Sequence, residues 1–304
     1  MELDPPALHL RPRLRGAGYS DQEIRRMLRT GDLTAVRPGA YVVGTPPDDA
    51  AARHVLRVRA DLEHLTDDAV ASHASAAVLH GLPTWGVSLE RVHVSRNRRS
   101  GGRVGRRVHV HVAPLKTDEV VTVDGITVTS PARTVVDLAR SVPVEQAVVV
   151  ADAALARGLV DRAELDDAVQ RATRWRGSPA AQRVVAFADG RSESVGESRS
   201  RVALRRAGLP DPVPQWEVRT ADGLLVGRVD FGWPGLATVG EFDGRVKYGR
   251  LLRPGQQPGD AVYAEKLRED ELRSMGLSVV RWTWPDLARF TPVVTRLQQS
   301  FQTP

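Results

Sequence analysis

Two strand-like runs near the C-terminal end carry the residues best suited to chemistry. Alternation along the first puts Arg228 and Asp230 on one face, with Val229 and Phe231 on the other. Along the next, Glu241 and Asp243 share a face opposite Gly240 and Phe242. Acids near the ends of neighbouring strands are costly to bury unless they meet positive charge. Mg²⁺ or Mn²⁺ fits that need, because a hard cation is held by one or two carboxylates with water and a substrate phosphate completing its shell. An ion so held activates water and neutralises charge on a phosphodiester. Asp230, Glu241 and Asp243 are the acids so placed. Asp243-Gly244 also reads as a turn pair, and Glu197 completes the capping box Ser194-Val195-Gly196-Glu197, so each has a structural reading beside the chemical one. A tight hairpin about Pro234 would set Asp230 opposite Thr238 or Val239, so bringing it to Glu241 requires an asymmetric loop or a bulge.

The elements that must position these residues follow from spacing. A helix is expected from Val195 to Ala207, ended by Gly208-Leu209-Pro210. Strands are expected over Val213 to Arg219, Leu224 to Phe231 and Leu236 to Asp243. A polar loop, a helix from about Ala261 to Met275 and a strand from Ser278 to Trp284 complete an α-β-β-β-α-β order.

At the other end, Ser20-Asp21-Gln22-Glu23 is a capping box that starts a short helix through Arg29, ended by Gly31. Two β-prone runs, from Leu33 to Val43, turn at Pro38-Gly39, and helices followed by a hairpin are the plan of a winged helix. Between the two ends lies a mixed α/β region. Helices are expected over Ala51 to Leu65, Ala71 to His80, Ala132 to Ala139 and Val144 to Thr173. Strands are expected around Val92-His93-Val94, Val108 to Val112 and Ile126 to Val128. His73 and His80 share a helical face and His109 and His111 a strand face. Without clustered carboxylates they are expected to be satisfied by carbonyls or water and to hold no metal.

Composition bounds the rest. A chain of 304 residues is expected to divide into two or three domains. It has no cysteine, which suits a reducing compartment and excludes disulfides, thiol catalysis and cysteine-ligated zinc. The start, Met1-Glu2-Leu3-Asp4-Pro5-Pro6, carries neither the basic nor the apolar part of a secretory signal, and no apolar run is long enough to span a bilayer, so a cytoplasmic location is expected. The net charge of +6 comes from arginine, lysine appearing only at Lys116, Lys247 and Lys266. Such a surface favours a polyanionic partner, although a GC-rich genome enriches arginine as well.

Two resemblances sharpen these readings. Glu197, Val229-Asp230-Phe231, Glu241-Phe242-Asp243-Gly244, Lys247, Arg268, Asp270, Arg273 and Val279-Val280-Arg281-Trp282 together resemble the PD-(D/E)XK nuclease superfamily, in the branch similar to very-short-patch mismatch-repair endonucleases. The resemblance implies Asp230 and Glu241 as metal ligands, Glu197 as an outer catalytic partner, and Lys247 in place of the usual lysine, whose position is taken by Asp243. Ser20 to Val43 resembles the winged helix of AbiEi-type antitoxins. Ala71 to Leu82 and Thr129 to Asp137 resemble the domain that follows it in that family. That resemblance implies DNA binding through Arg25, Arg26 and Arg29 of a recognition helix and Arg37 of the wing, and a cognate toxin as partner.

The expected architecture is multidomain α/β. It comprises a winged-helix DNA-binding domain over residues 1–48, an antitoxin-like mixed domain over 49–176 and a restriction-endonuclease-like domain over 177–304. Two functions fit: a Mg²⁺-dependent endonuclease directed to DNA, or a non-enzymatic, antitoxin-like transcriptional regulator of a type IV toxin-antitoxin system with a degenerate nuclease fold. Neither needs a membrane.

Overall fold

The computed structural model describes residues 8–244 and 267–302. It is a mixed α/β protein with two compact units, one formed by residues 1–150 and 158–186, the other by 151–157 and 187–304.

The first unit begins with β1 (His9–Leu10), α1 (Arg11–Gly16), α2 (Asp21–Thr30), β2 (Leu33–Arg37) and β3 (Ala40–Val43). The capping box is formed as the sequence implies: the Ser20 hydroxyl accepts from the Glu23 N–H at 3.2 Å, and the Glu23 carboxylate accepts from the Ser20 N–H at 2.7 Å. Gly31, at φ 84°, ends α2 in the left-handed region that glycine adopts without strain. Leu14, Ile24, Leu33 and Tyr41 close a small core. The sequence does not announce β1, which pairs with β3 to make a sheet ordered β1-β3-β2. A two-residue strand has no periodicity to read.

There follow α3 (Ala50–Leu62), β4 (Val70–Ala71), α4 (His73–Leu79), β5 (Val92–Arg96), β6 (Arg103–Val104), β7 (Val108–Val112), β8 (Val120–Val123), β9 (Ile126–Thr129) and α5 (Pro131–Ala139). Their strands form a six-stranded sheet, β6-β7-β5-β4-β9-β8. Its core is Val58, Ala71, Ala76, Val92, Val94, Val110 and Val128. β8 and β9 are joined at Asp124 and Gly125, both at positive φ, 48° and 75°. An Asp-Gly pair of that kind matches the twist of a two-residue hairpin.

The helical tract expected over Val144 to Thr173 is two helices, α6 (Val144–Ala156) and α7 (Arg162–Arg171). Gly158 at φ 63° stops the first, and a capping box of Asp161 and Glu164 starts the second. After α8 (Ser178–Phe187) the second unit continues with α9 (Val195–Arg206), β10 (Val213–Arg219), β11 (Leu225–Trp233) and β12 (Thr238–Asp243). Next come α10, described over residues 267–274, β13 (Ser278–Thr283), α11 (Trp284–Ala288) and α12 (Thr291–Gln302).

In the sheet β10-β11-β12-β13 the first three strands are antiparallel and β13 runs parallel to β12. Phe231, Trp233, Val280 and Trp282 build its core with Leu204 of α9 and Val293 and Leu297 of α12. Three glycines admit aromatic rings there. A Cβ on Gly196 would stand 1.8 Å from the Phe242 ring, one on Gly232 2.3 Å from Trp216, and one on Gly240 2.6 Å from Trp282. Among the described residues no helix is long and apolar enough to cross a membrane.

Candidate functional site

In the second unit each successive element delivers one polar residue to the same end of the sheet. The register answers the hairpin problem first. Strands β11 and β12 pair as Trp233↔Thr238, Gly232↔Val239 and Phe231↔Gly240. The connection is a 3₁₀ turn over Pro234–Leu236 closed by Ala237 at φ 44°. This longer loop carries Asp230 to the level of Glu241, just past the last paired residues. Asp230 then bridges the separating strands itself, its Oδ2 accepting from the Phe242 N–H at 2.8 Å.

Glu241 is buried and accepts at both oxygens: from Arg268 of α10 at 2.7 Å and from Arg281 of β13 at 2.8 Å. Arg281 is also its register partner across the parallel pair. Glu197, on the first turn of α9, is buried as well. Its oxygens accept from the Glu193 N–H at 3.0 Å, the Ser194 hydroxyl at 2.7 Å and the Gln215 side-chain amide at 2.8 Å. Gln215 has φ 53° and lies between the pairs Pro214↔Phe231 and Trp216↔Val229, hence across from Asp230. A non-glycine residue held there is backbone strain maintained by its surroundings, a feature that clusters at functional sites.

The electrostatics centre on Asp230. Burial pushes its carboxyl up from the usual 3.8 to about 6. The Phe242 N–H opposes this, the charges of Glu197 and Glu241 add to it, and Arg268 opposes it. The carboxylates are of the right chemistry for a hard cation. As arranged, Glu241 is fully engaged with guanidinium groups. Among the described residues no three ligating side chains of this unit converge within 4.8 Å. Lys247, the expected basic group, lies outside the described residues. The basic groups at hand are Arg268 and Arg281, to which the sequence motif assigns no role. Gln215 is not foreseeable from the sequence, since nothing in its neighbourhood signals a left-handed residue.

In the first unit, Arg25, Arg26 and Arg29 are exposed along α2 and form no ion pair among the described residues. Arg37 is placed differently. Its Nη1 donates to Asp61 at 2.6 Å and to the Ala60 carbonyl at 2.7 Å, which ties β2 to α3 and leaves the side chain 15% exposed.

The histidines also sort in an unexpected way. His80 donates to the Thr129 carbonyl at 2.8 Å, the kind of partner expected. His73 instead gathers with His93, His109 and His111 on the six-stranded sheet. His93 carries no signal of its own in the sequence. The parallel register His93↔His109 is what brings it in, and pairing between distant strands is invisible to local periodicity.

Among known proteins, three likenesses stand out. Residues 69–187 match the family model described as the AbiEi antitoxin C-terminal domain. Two proteins of Mycobacterium tuberculosis, "Uncharacterized protein MT2308" of strain CDC 1551 / Oshkosh and "Uncharacterized protein Rv2248" of strain ATCC 25618 / H37Rv, are each 31% identical over 223 residues, covering 73% of this chain and 78% of theirs. The crystal structure of the RV2827C protein from the same species aligns with a TM-score of 0.39 at 18% identity, over 61% of this chain and 78% of that one.

Proposed function

We propose, from the premise that this chain belongs to the family of the mycobacterial proteins MT2308 and Rv2248 and carries an AbiEi antitoxin C-terminal domain, that it is a DNA-binding, antitoxin-like regulator. The observation that carries this reading is the position of that domain C-terminal to a small helix-and-sheet module bearing an exposed arginine face. In this reading residues 1–48 are a winged helix, with α2 entering the major groove and Arg25, Arg26 and Arg29 meeting phosphates. Arg37 supports the module from behind through Asp61. A cognate toxin is the expected second partner, and the cytoplasm the expected setting.

The test is binding of the full-length protein to duplex DNA from upstream of its own gene and to an unrelated duplex, across a salt series. Replacing Arg25, Arg26 and Arg29 with alanine should weaken binding and reduce the salt slope by about one for each phosphate no longer neutralised. An unchanged slope would move the interface elsewhere.

A second reading is favoured by one observation, the level placement of Asp230 and Glu241 beside Glu197. In it the region after residue 177 is a nuclease-like domain that takes Mg²⁺ or Mn²⁺ on Asp230 and Glu241, with Lys247 as the basic group. The full occupation of Glu241 by Arg268 and Arg281 places this reading second. Nicking of supercoiled plasmid by wild type but not by Asp230→Ala, in either metal, would reverse the order.

A further inference from the structure

The histidine cluster of the six-stranded sheet differs from His54 and His80 of the first unit. His54 is buried with its Nδ1 donating to the Leu89 carbonyl at 3.0 Å and its Nε2 facing the Ser75 hydroxyl at 2.9 Å. His80 has the Thr129 carbonyl. These rings are satisfied by the fold. In the cluster, the rings face one another. His93 Nδ1 and His111 Nε2 stand 3.0 Å apart, and the His111 ring is stacked between those of His73 and His109, at centroid distances of 3.6 and 3.8 Å.

We infer that His73, His93 and His111 form a binding site for a divalent transition-metal ion of the zinc class. One ligand atom from each lies within 4.8 Å of the other two, and among the described residues this is the group of three that does so. Two imidazole nitrogens bound to one zinc at 2.0–2.1 Å in tetrahedral geometry sit roughly 3.3 Å apart, close to the 3.0 Å separation of the His93 and His111 nitrogens, whose rings would turn from each other toward the ion. An all-imidazole set selects zinc, copper, nickel or iron over magnesium and calcium, which demand oxygen.

The surroundings behave as supports for such an ion. His73 Nδ1 lies 3.0 Å from the Ser72 hydroxyl, which itself accepts from the Ser95 hydroxyl at 2.8 Å. With Nδ1 as the donor, Nε2 of His73 is left as the ligand, and its ring is oriented by a partner outside the coordination shell. His73 also holds φ 51°, a strained backbone at the first residue of α4.

A cavity of about 380 Å³, lined by His73, His109, His111, Arg133, Asp137 and Arg140, adjoins the rings and gives an ion access and a further ligand position. Arg133 and Arg140 both donate to Asp137, which offsets the positive charge beside the cation. Arg133 Nη2, fully buried, has no hydrogen-bond partner among the described residues.

The experiment uses untagged full-length protein stripped with a chelator and titrated with Co²⁺, then with Zn²⁺. The expected result is one equivalent of Co²⁺ with visible ligand-field bands that Zn²⁺ abolishes and excess Mg²⁺ does not. His93→Gln and His111→Gln should each weaken the metal by at least about 100-fold, while His109→Ala, stacked on the cluster but outside the triad, keeps stoichiometric binding. Circular dichroism and thermal melting establish that each variant is folded. Absence of ligand-field bands in the wild type overturns the assignment whatever the variants do. Undiminished binding in folded His93→Gln and His111→Gln would overturn it too.

Discussion

The two clusters that could meet a cation are built on opposite plans. In the first unit, neutral imidazoles converge and find mainly one another, while the charged groups behind them, Arg133, Asp137 and Glu119, are paired in full burial. In the second unit, carboxylates are brought level: Glu241 is answered by two arginines that remain 27% and 35% exposed at their side chains, while Asp230 has a single backbone N–H. Ligand identity alone would have favoured the acids. What separates the clusters is the partner each group already has, so saturation is as informative as residue type.

The sharpest way to strain this comparison is to remove one ion from each network. Arg133 is 2% exposed and serves both Glu119 and Asp137, so Arg133→Leu takes a buried charged partner from each, leaving Asp137 to Arg140 and Glu119 to Arg171 at 3.6 Å. A loss of about 3–5 kcal/mol in urea denaturation is expected. A loss below about 1 kcal/mol would mean that the first unit's network is no more committed than the second's.

Asp230 gives an effect of opposite sign. Its folded pKa, about 6, lies above the usual 3.8, so the native state holds a proton that the unfolded chain has released. The cost of ionising it develops as pH rises through that window and is complete above it. Asp230→Asn keeps an acceptor for the Phe242 N–H and should therefore stabilise the protein above pH 6 by up to about 3 kcal/mol, with no gain below about pH 4. Denaturation at both pH values measures this. If Mg²⁺ stabilises the wild type and not the Asp230→Asn variant, the carboxylate cluster is less saturated than its hydrogen bonds imply.

Two smaller changes refine the picture. Glu197→Ala should cost about 1 kcal/mol if the residue serves chiefly as a cap. A much larger loss would assign weight to its bond with Gln215. Arg281→Met, at a half-exposed position with Arg268 still on Glu241, should cost no more than about 1 kcal/mol, readable as a small shift in melting temperature.

Local signals in the sequence carry a good part of this architecture. Ser20-Asp21-Gln22-Glu23 marks a helix start by chemistry confined to four neighbours, and the alternation around Asp230 and Glu241 assigns both to one face. Their level is not legible, because it depends on Ala237 adopting φ 44° in the loop. The histidine triad is not legible either. His73, His93 and His111 come from α4, β5 and β7, and only the order of strands in the sheet makes them neighbours. Arg37 reads as a wing residue from its place beside Pro38-Gly39, and its bond to Asp61 depends on where α3 lies.

Helix α6 limits how this gene can be cut. Its last turns, from Ala151 onward, belong with the second unit although residues 158–186 return to the first. Asp152, fully buried on those turns, accepts from the Asp189 N–H at 2.8 Å and from Arg201 at 2.7 Å. A fragment starting at residue 177 would contain Arg201 without its carboxylate, and no single cleavage of the chain yields both units whole. A workable recombinant second unit would have to begin upstream of Ala151 and carry 158–186 with it as an excursion.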